Sequence, residues 1–503
     1  ARPKAVDVDN LAAMLEEDGL FAQRFPGFEH RPQQVEMLTA VATALNDKQH
    51  LLVEAGTGTG KSVAYLLPAL AFAQLNGERV VISTNTINLQ DQLFLKDIPD
   101  LQELLPFEFR AVVLKGRSNY LCQRRLEALR RMGVSSAQEM QMLAKVMVWV
   151  PSTQTGQRGE LFMPSPIEQV LWGKVSAESE TCTLDRCRFR ERGSCFFYRA
   201  RHAAENAHLI IVNHALLLSD VAVENRVLPE YRYLIVDEAH HLEDNVTRQL
   251  SFHADQRVVE RVLNELARPV GVKRYSGFLG DLATRCRGVI PPNNWAVLDA
   301  QVRRLQRKIE TAMTNVYAFF SVMGGFLREH SPRRGDYEQR LRITSGLRVQ
   351  PDWSHVEIAW ENLSAQLQPI VSDLEQLCGG LSELEDYDIP ELEGLVQDCT
   401  GYLTRLAEVH AQFNACISEP SNSSIYWATL SSKDERLALH AAPLHVGRLV
   451  EQHLFHAKES VILTSATLTT DNTFDFVSER LHAWDADELT VGSPFDFENQ
   501  ALL

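Results

Sequence analysis

The 503-residue sequence has no long uninterrupted hydrophobic run. Its longest apolar stretch, Tyr65–Leu75, is broken by Pro68 and falls short of the roughly 20 residues that a bilayer-spanning helix requires, so no membrane segment is expected. No basic segment leads into an apolar core at the start, so no secretory signal is expected. Positive charge is in deficit: 50 Lys and Arg stand against 66 Asp and Glu, a net charge of −16. General attraction to nucleic acid is therefore excluded, and only a local basic patch could grip a phosphate backbone. Cysteine is sparse, at eight residues, which excludes a disulfide scaffold and fits an intracellular chain. Internal repeats and low-complexity tracts are absent. What remains is 45% hydrophobic, with a negative mean hydropathy. A chain of this length can bury large cores and is expected to hold three or more domains or lobes.

The segment Ala55-Gly56-Thr57-Gly58-Thr59-Gly60-Lys61-Ser62 carries the most chemistry. Val53 and the leucines before it read as a buried strand, and Lys61–Leu75 reads as a helix. A strand that turns through glycines into a helix N-terminus directs backbone N–H groups, and the positive end of the helix dipole, at an anion. Lys61 would reach the outer phosphates of ATP, and the Ser62 hydroxyl would hold Mg²⁺. Ala55 stands where the strict pattern has glycine, so a plain glycine-rich turn is the competing reading. Downstream, Tyr233-Leu234-Ile235-Val236 reads as a buried strand running into Asp237-Glu238-Ala239-His240. Asp237 would hold the metal and Glu238 would polarise the attacking water. With this second element the chain resembles a DEAH-type helicase of superfamily two, in which Ala55 is ordinary.

Charge is unevenly spread. Between Arg110 and Glu205 there are 16 Lys and Arg against 9 Asp and Glu, whereas Asp373–Asp398 is strongly acidic. Cys122, Cys182, Cys187 and Cys195 lie in the basic region, the last three as C-x₄-C-x₇-C among Arg186, Arg188, Arg190 and Arg192. Clustered cysteines in a chain without an export signal point to metal ligation, with zinc and an iron–sulfur cluster both open on spacing alone. Cys286, Cys378, Cys399 and Cys416 are scattered through helical-looking sequence and read as ordinary core or boundary residues.

A cysteine-bearing insertion between the phosphate loop and the DEAH box resembles the iron–sulfur helicases related to XPD, and among them the bacterial DinG family. Lys115-Gly116-Arg117-Ser118-Asn119-Tyr120-Leu121-Cys122 is similar to that family's approach to its cluster domain. Val212-Asn213-His214-Ala215-Leu216 is similar to its return to the motor. Ser465-Ala466-Thr467-Leu468 resembles the motif coupling nucleotide state to DNA, and Ser493-Pro494-Phe495 the crossing toward a second motor domain. The resemblance implies a [4Fe–4S] cluster on the four cysteines. It also implies adenine recognition by Gln34 within Arg31-Pro32-Gln33-Gln34, although a Pro-initiated helix start explains that segment equally well. Thr84–Gln92, opening a helix after a strand at Arg79–Ser83, would lie along single-stranded DNA. Thr84, Asn85, Lys115, Arg117, Asn213 and His214 are the candidate DNA contacts. His240 and Thr467 would link them to the ATP site, while the basic pair Arg333 and Arg334 is expected to contribute little.

The expected fold is α/β: a RecA-like P-loop motor domain with a mostly parallel sheet, interrupted by a 4Fe-4S cluster domain and a mainly helical arch. The boundaries read as an N-terminal linker over 1–28, motor segments at 29–109, 208–245 and 446–503, the cluster domain at 110–207 and the arch at 246–445. Helix-period stretches at Trp295–Leu327, Val356–Leu377 and Leu392–Ile417 mark the arch, with a hairpin formed by Ile425–Leu430 and Arg436–His440 and a last strand at Ser460–Leu463. No arginine motif of a second RecA-like domain is read, so the chain is expected to be one motor half; residues 1–28 resemble a linker that follows an exonuclease module in some relatives. The expected activity is that of a cytoplasmic bacterial ATP-dependent 5′–3′ DNA helicase. It would use ATP and Mg²⁺, act on single-stranded and forked DNA in repair or replication as a monomeric motor, and be weak by itself. A non-motor ATP switch on nucleic acid and a zinc-stabilised ATPase acting on protein are the alternatives.

Overall fold

In a computed structural model the described residues are 3–132, 136–178, 182, 187–222, 227–271, 274–331, 338–431 and 435–495. Arg186, Arg333 and Arg334 lie outside them. The strands are β1 (His50–Ala55), β2 (Val80–Thr84), β3 (Ala111–Val113), β4 (Leu209–Asn213), β5 (Tyr233–Asp237), β6 (Phe252–Asp255), β7 (Arg268–Gly271), β8 (Arg274–Ser276), β9 (Gln339–Arg342), β10 (Ser424–Leu430), β11 (Leu437–Pro443), β12 (Ser460–Ser465) and β13 (Ala486–Gly492). The chain divides into two compact units. One comprises Ala1–Gly116, Arg199–Leu250 and His445–Leu503; the other comprises Arg117–Tyr198 and Ser251–Leu444.

The first unit is an α/β domain around a seven-stranded sheet in the order β13-β1-β12-β5-β2-β4-β3, every pair parallel. Parallel sheets are covered on both faces, so their strands are continuous apolar runs. Val80 and Ile82 enter one core and Val81 the other; Ile235 enters the first, Leu234 and Val236 the second. The helix Pro32–Asp47 and the helix Lys61–Asn76 supply the first core, burying Met37, Leu38, Val41, Leu66, Leu70 and Phe72. Pro68 sits inside the latter helix, which continues through it. Strand β12 is placed between β1 and β5, with Glu54 opposite Ser465 and Thr464 opposite Asp237. The turns after β1, β12 and β5 therefore stand side by side at the C-terminal edge, where ligands of open α/β sheets bind.

The second unit holds three long helices, Pro292–His330, Trp353–Ser382 and Leu392–Ile417, with Phe319, Trp360 and Phe413 packed edge-on and tilted at their centre. Against them lies a four-stranded antiparallel sheet, β6-β11-β10-β9. The cysteine-bearing segment belongs to this same unit: Arg124 pairs with Asp398 at 2.8 Å, and Glu178 pairs with Arg125 at 2.5 Å and with Arg405. The hairpin expected from the sequence is present as β10 and β11; β6 and β9 are additions to it. Phe252–Asp255 and Gln-Arg-Leu-Arg at 339–342 are too short and polar to announce strands, and only pairing to the hairpin makes them so.

Candidate nucleotide site and cysteine centre

The phosphate loop joins β1 to the helix Lys61–Asn76. Gly58 and Gly60 have φ of 84° and 81°, a left-handed conformation that glycine adopts without strain. A Cβ on Gly60 would lie 2.2 Å from Gln34 Nε2, and one on Gly58 would lie 2.0 Å from the Phe495 ring, so both positions also require the missing side chain. Thr59 Oγ1 donates to the Gly56 carbonyl at 2.7 Å, and Lys61 Nζ lies 3.3 Å from the Ala55 carbonyl oxygen. The loop is tied to the end of β13: the Gly56 N–H donates to the Gly492 carbonyl at 2.9 Å, and Ser493 Oγ donates to the Thr57 carbonyl at 3.4 Å.

Across the edge, Asp237 is 8% exposed. Tyr65, fully buried on the helix that begins with Lys61, donates its hydroxyl to Asp237 Oδ2 at 3.0 Å. Ser62, the other expected Mg²⁺ ligand, stands three residues before Tyr65 on the same helix. Burial, and then the neighbouring Glu238, push the Asp237 carboxyl up to about 6. Glu238 occupies the left-handed region at φ 53°, a strained conformation for a non-glycine residue at the mouth of a site. His240 Nδ1 is 2.6 Å from Ser465 Oγ, and that oxygen accepts the Thr467 N–H at 3.3 Å. The expected link between His240 and Thr467 thus runs through Ser465.

The cysteines Cys122, Cys182, Cys187 and Cys195 line one cavity. Arg117 Nη1 donates to the Cys182 carbonyl at 3.4 Å, and its guanidinium lies over Phe197 at 5.2 Å. Burial raises the thiols of Cys122 and Cys195, and pushes Cys182 up to about 11.

The DEAD/DEAH box helicase family matches residues 31–131, and the DEAD_2 family matches 89–259. Among curated relatives, the ATP-dependent DNA helicase YoaA of Haemophilus influenzae is 30% identical over 510 residues, covering 99% of this chain and 69% of its own length. The chain belongs to the DinG family of XPD-like helicases. The ATP-dependent helicase DinG of Mycobacterium tuberculosis is 30% identical, with 95% of this chain and 66% of the relative covered. The 3′-5′ exonuclease DinG of Bacillus subtilis is 28% identical, with 99% and 53% covered. This DinG-family chain therefore spans about half to two thirds of the length of these relatives.

The side chains expected on a DNA track of this DinG-family chain differ in exposure: Thr84 and His214 are buried, and Asn85, Lys115 and Asn213 are half-buried. Thr84 and His214 are wholly enclosed, and Ser83 Oγ is 2.7 Å from His214 Nδ1 beneath the sheet edge. Burial lowers the His214 ring to about 4 and keeps it neutral. Neither presents a surface to a phosphate. Asn213 Oδ1 caps the following helix by accepting the Leu216 N–H at 3.0 Å, and Asn85 Oδ1 accepts from Asn245 at 3.2 Å. Lys115, with its side chain 12% exposed, pairs with Asp91 at 3.1 Å. Gln34 donates Nε2 to the Gly60 carbonyl at 3.0 Å, so its amide holds the phosphate loop from below.

Two residues of this family site carried no sequence signal that was read. Tyr65 lies one helical turn beyond Ser62, a spacing that places both on one helix face. Glu54 interrupts the apolar run of β1; its carboxylate accepts the Leu468 and Thr469 N–H groups, each at 2.6 Å, and the Thr469 hydroxyl at 2.9 Å. Burial opposes its charge, but these hydrogen bonds outweigh it and hold Glu54 below the ordinary carboxylate value. A charged residue inside an otherwise buried strand was the available clue.

Proposed function

We propose that the chain is the ATP-binding motor portion of a DNA helicase that moves 5′–3′ on single-stranded DNA. The observation that carries this reading is the position of β12 between β1 and β5, which sets Ser465 and Thr467 beside both the phosphate loop and the acidic pair. Lys61 stabilises the charge that develops on the transferred phosphoryl group, and Glu238 orients the attacking water. Ser62 and Asp237 would hold Mg²⁺, which would supply positive charge to the outer phosphates. Tyr65 keeps Asp237 aimed and donates to its charged form, while His240 and Ser465 pass the state of Glu238 to the Thr467 turn. Gly56–Gly60 supply backbone N–H groups, and Gln34 steadies them.

Cys122, Cys182, Cys187 and Cys195 are proposed to hold a [4Fe–4S] cluster. Support comes from the thiolate donor set, with all four cysteines lining one cavity, and from the family resemblance. Segments 110–207 and 246–445 are proposed as the cluster domain and arch, acting on single-stranded and forked DNA in bacterial repair or replication.

The test is ATP turnover by the purified protein with and without single-stranded DNA. DNA-stimulated turnover that Lys61→Ala abolishes is expected; turnover indifferent to DNA would leave an ATP switch or a protein-directed ATPase. Anaerobically purified protein should be brown, with broad absorbance near ~400 nm. Stoichiometric zinc without iron or acid-labile sulfide would overturn the cluster.

A further inference from the structure

Four cysteines lie outside the cysteine-lined cavity, and their surroundings set two of them apart. Cys286 and Cys416 are buried, and burial pushes their thiols up to about 11 and about 12. Thiols held protonated in apolar surroundings are inert. Cys378 and Cys399 differ because two long helices pack them together. Cys378 lies near the end of the helix Trp353–Ser382, and Cys399 lies in the first turns of the helix Leu392–Ile417.

The approach is made from both sides. Cys399 Sγ donates to the Leu374 carbonyl at 3.7 Å. In an α-helix that carbonyl also accepts the N–H four residues on, which is that of Cys378, so the Cys399 sulfur sits at the level of the Cys378 backbone. Thr400, next to Cys399, places Oγ1 4.0 Å from Cys378 Sγ. Cys399 is fully buried, whereas Cys378 is half-buried and open to small solutes. Gly379 and Gly380 follow Cys378, both exposed, and a Cβ at either position would meet nothing within 4 Å. Glycine weakens a helix interior, and no close packing requires it here. The pair leaves the helix able to give where one sulfur must move onto the other.

Electrostatics gives the two sulfurs different parts. The neighbouring Cys399 thiol holds Cys378 below the ordinary thiol value, against the opposing effect of burial. The same contact, with burial added, raises Cys399. Cys378 is therefore the readier thiolate. A low, solvent-reachable thiol beside a second cysteine is the arrangement in which oxidation ends at a disulfide. We propose that Cys378 and Cys399 form a reversible oxidation site whose substrate is a hydroperoxide. The Cys378 sulfur attacks the peroxide oxygen, the O–O bond breaks, water or an alcohol leaves, and Cys378 becomes a sulfenic acid. Cys399 then attacks that sulfur, the S–O bond breaks, water leaves with the Cys399 proton, and the S–S bond forms. The two thiols lose two electrons in all, and the hydroperoxide gains them. The first step also removes the charged sulfur that raises Cys399, which prepares the second. The bond ties two helices beside the cysteine centre: Asp398 pairs with Arg124 at 2.8 Å, and Gln397 lines the cavity of the four clustered cysteines. The site depends neither on the motor reading nor on the identity of the metal.

The experiment treats anaerobically purified, reduced protein with hydrogen peroxide at about one equivalent, blocks the remaining thiols with N-ethylmaleimide and maps the peptides. Cleavage after glutamate, at Glu383 and Glu393, separates Cys378 from Cys399. A disulfide joining the two peptides is expected, and dithiothreitol should reverse it. Cys286 and Cys416 should be oxidised at least about 10-fold more slowly. In Cys399→Ser the second step is blocked, so dimedone should label Cys378. In Cys378→Ser, Cys399 should stay reduced. Each peptide is read by itself, so oxidation of the clustered cysteines does not enter the result. The parent map requires no variant, and serine variants with an unchanged melting temperature keep the labelling interpretable. Cys378 fully alkylated after peroxide in the parent, and unlabelled by dimedone in Cys399→Ser, would overturn the site. Equal oxidation rates at Cys378 and Cys286 would overturn it as well.

Discussion

Tyr65 and Asp237, 172 residues apart in the chain, are joined by a buried hydrogen bond of 3.0 Å. The donor rides on the helix that starts at the phosphate loop, and the acceptor ends the central strand β5. The bond therefore locks the two halves of the nucleotide site at a fixed separation. Removing the hydroxyl by Tyr65→Phe leaves a buried carboxylate short of one donor. The expected cost is about 1.5–3 kcal/mol of stability, with a rise in the Mg²⁺ concentration needed for half-maximal ATP turnover. Urea unfolding and a Mg²⁺ titration measure both; an unchanged Mg²⁺ requirement would separate the bond from metal binding.

Asp237 is held up to about 6, first by burial and then by Glu238. A carboxyl raised in the folded state binds its proton more tightly there than in the unfolded chain. Ionising it costs stability, from about pH 4 upward, and the whole cost is present above about pH 6. Metal-free Asp237→Asn should therefore be more stable than the parent at pH 8, by about 1–3 kcal/mol, and no more stable at pH 4. ATP turnover should fall at least ~100-fold. Parallel unfolding curves at the two pH values decide it, and a variant less stable at pH 8 would contradict the assigned cause.

His214 titrates in the opposite sense. Burial lowers it to about 4, so the neutral ring belongs to the folded state. Its contribution is complete above about pH 6.5 and is lost as pH falls toward 4, by up to about 3 kcal/mol, because the unfolded chain takes up the proton first. His214→Gln should flatten the stability profile over that window and leave DNA affinity unchanged at pH 7.5. A large loss of affinity at neutral pH would return His214 to the DNA track.

Glu54 clamps the turn at Leu468 and Thr469 to the strand that leads into the phosphate loop. Glu54→Gln keeps one acceptor oxygen but loses the charge. Stimulation of ATP turnover by single-stranded DNA is expected to drop about 5- to 10-fold, with nucleotide affinity changed less than about twofold. Equal losses in both would make Glu54 a residue of nucleotide binding instead of coupling.

Arg117 braces the Cys182 carbonyl, and Lys115 is occupied by Asp91. Arg117→Ala should lower iron per chain by more than about half. Lys115→Ala should leave the salt slope of DNA binding within about 0.3 of the parent, since a lost phosphate contact would shift it by about 0.7. Iron analysis and a salt series on each variant read the two effects independently.

The sequence by itself determined the elements that depend on local physics. The glycines of Gly56–Gly60, the helix beginning at Lys61 and the continuous apolar runs at Val80–Ile82, Leu209–Val212 and Tyr233–Val236 are legible because backbone conformation and burial on both sheet faces are written into residue type. The helix Leu392–Ile417 is legible for the same reason, through its periodicity. Tertiary structure decided what depends on which strands become neighbours. The sheet order places β12 beside both β1 and β5, brings Glu54 to Leu468 and Thr469, and brings Tyr65 to Asp237. It also encloses Thr84 and His214, whose polar side chains read as surface when only their own segment is considered. The strand register that aligns Arg342, Trp427, His440 and His253 joins four strands drawn from almost two hundred residues of chain. Strand pairing is a long-range choice, and no local pattern in Phe252–Asp255 or Gln339–Arg342 encodes the partner that completes it.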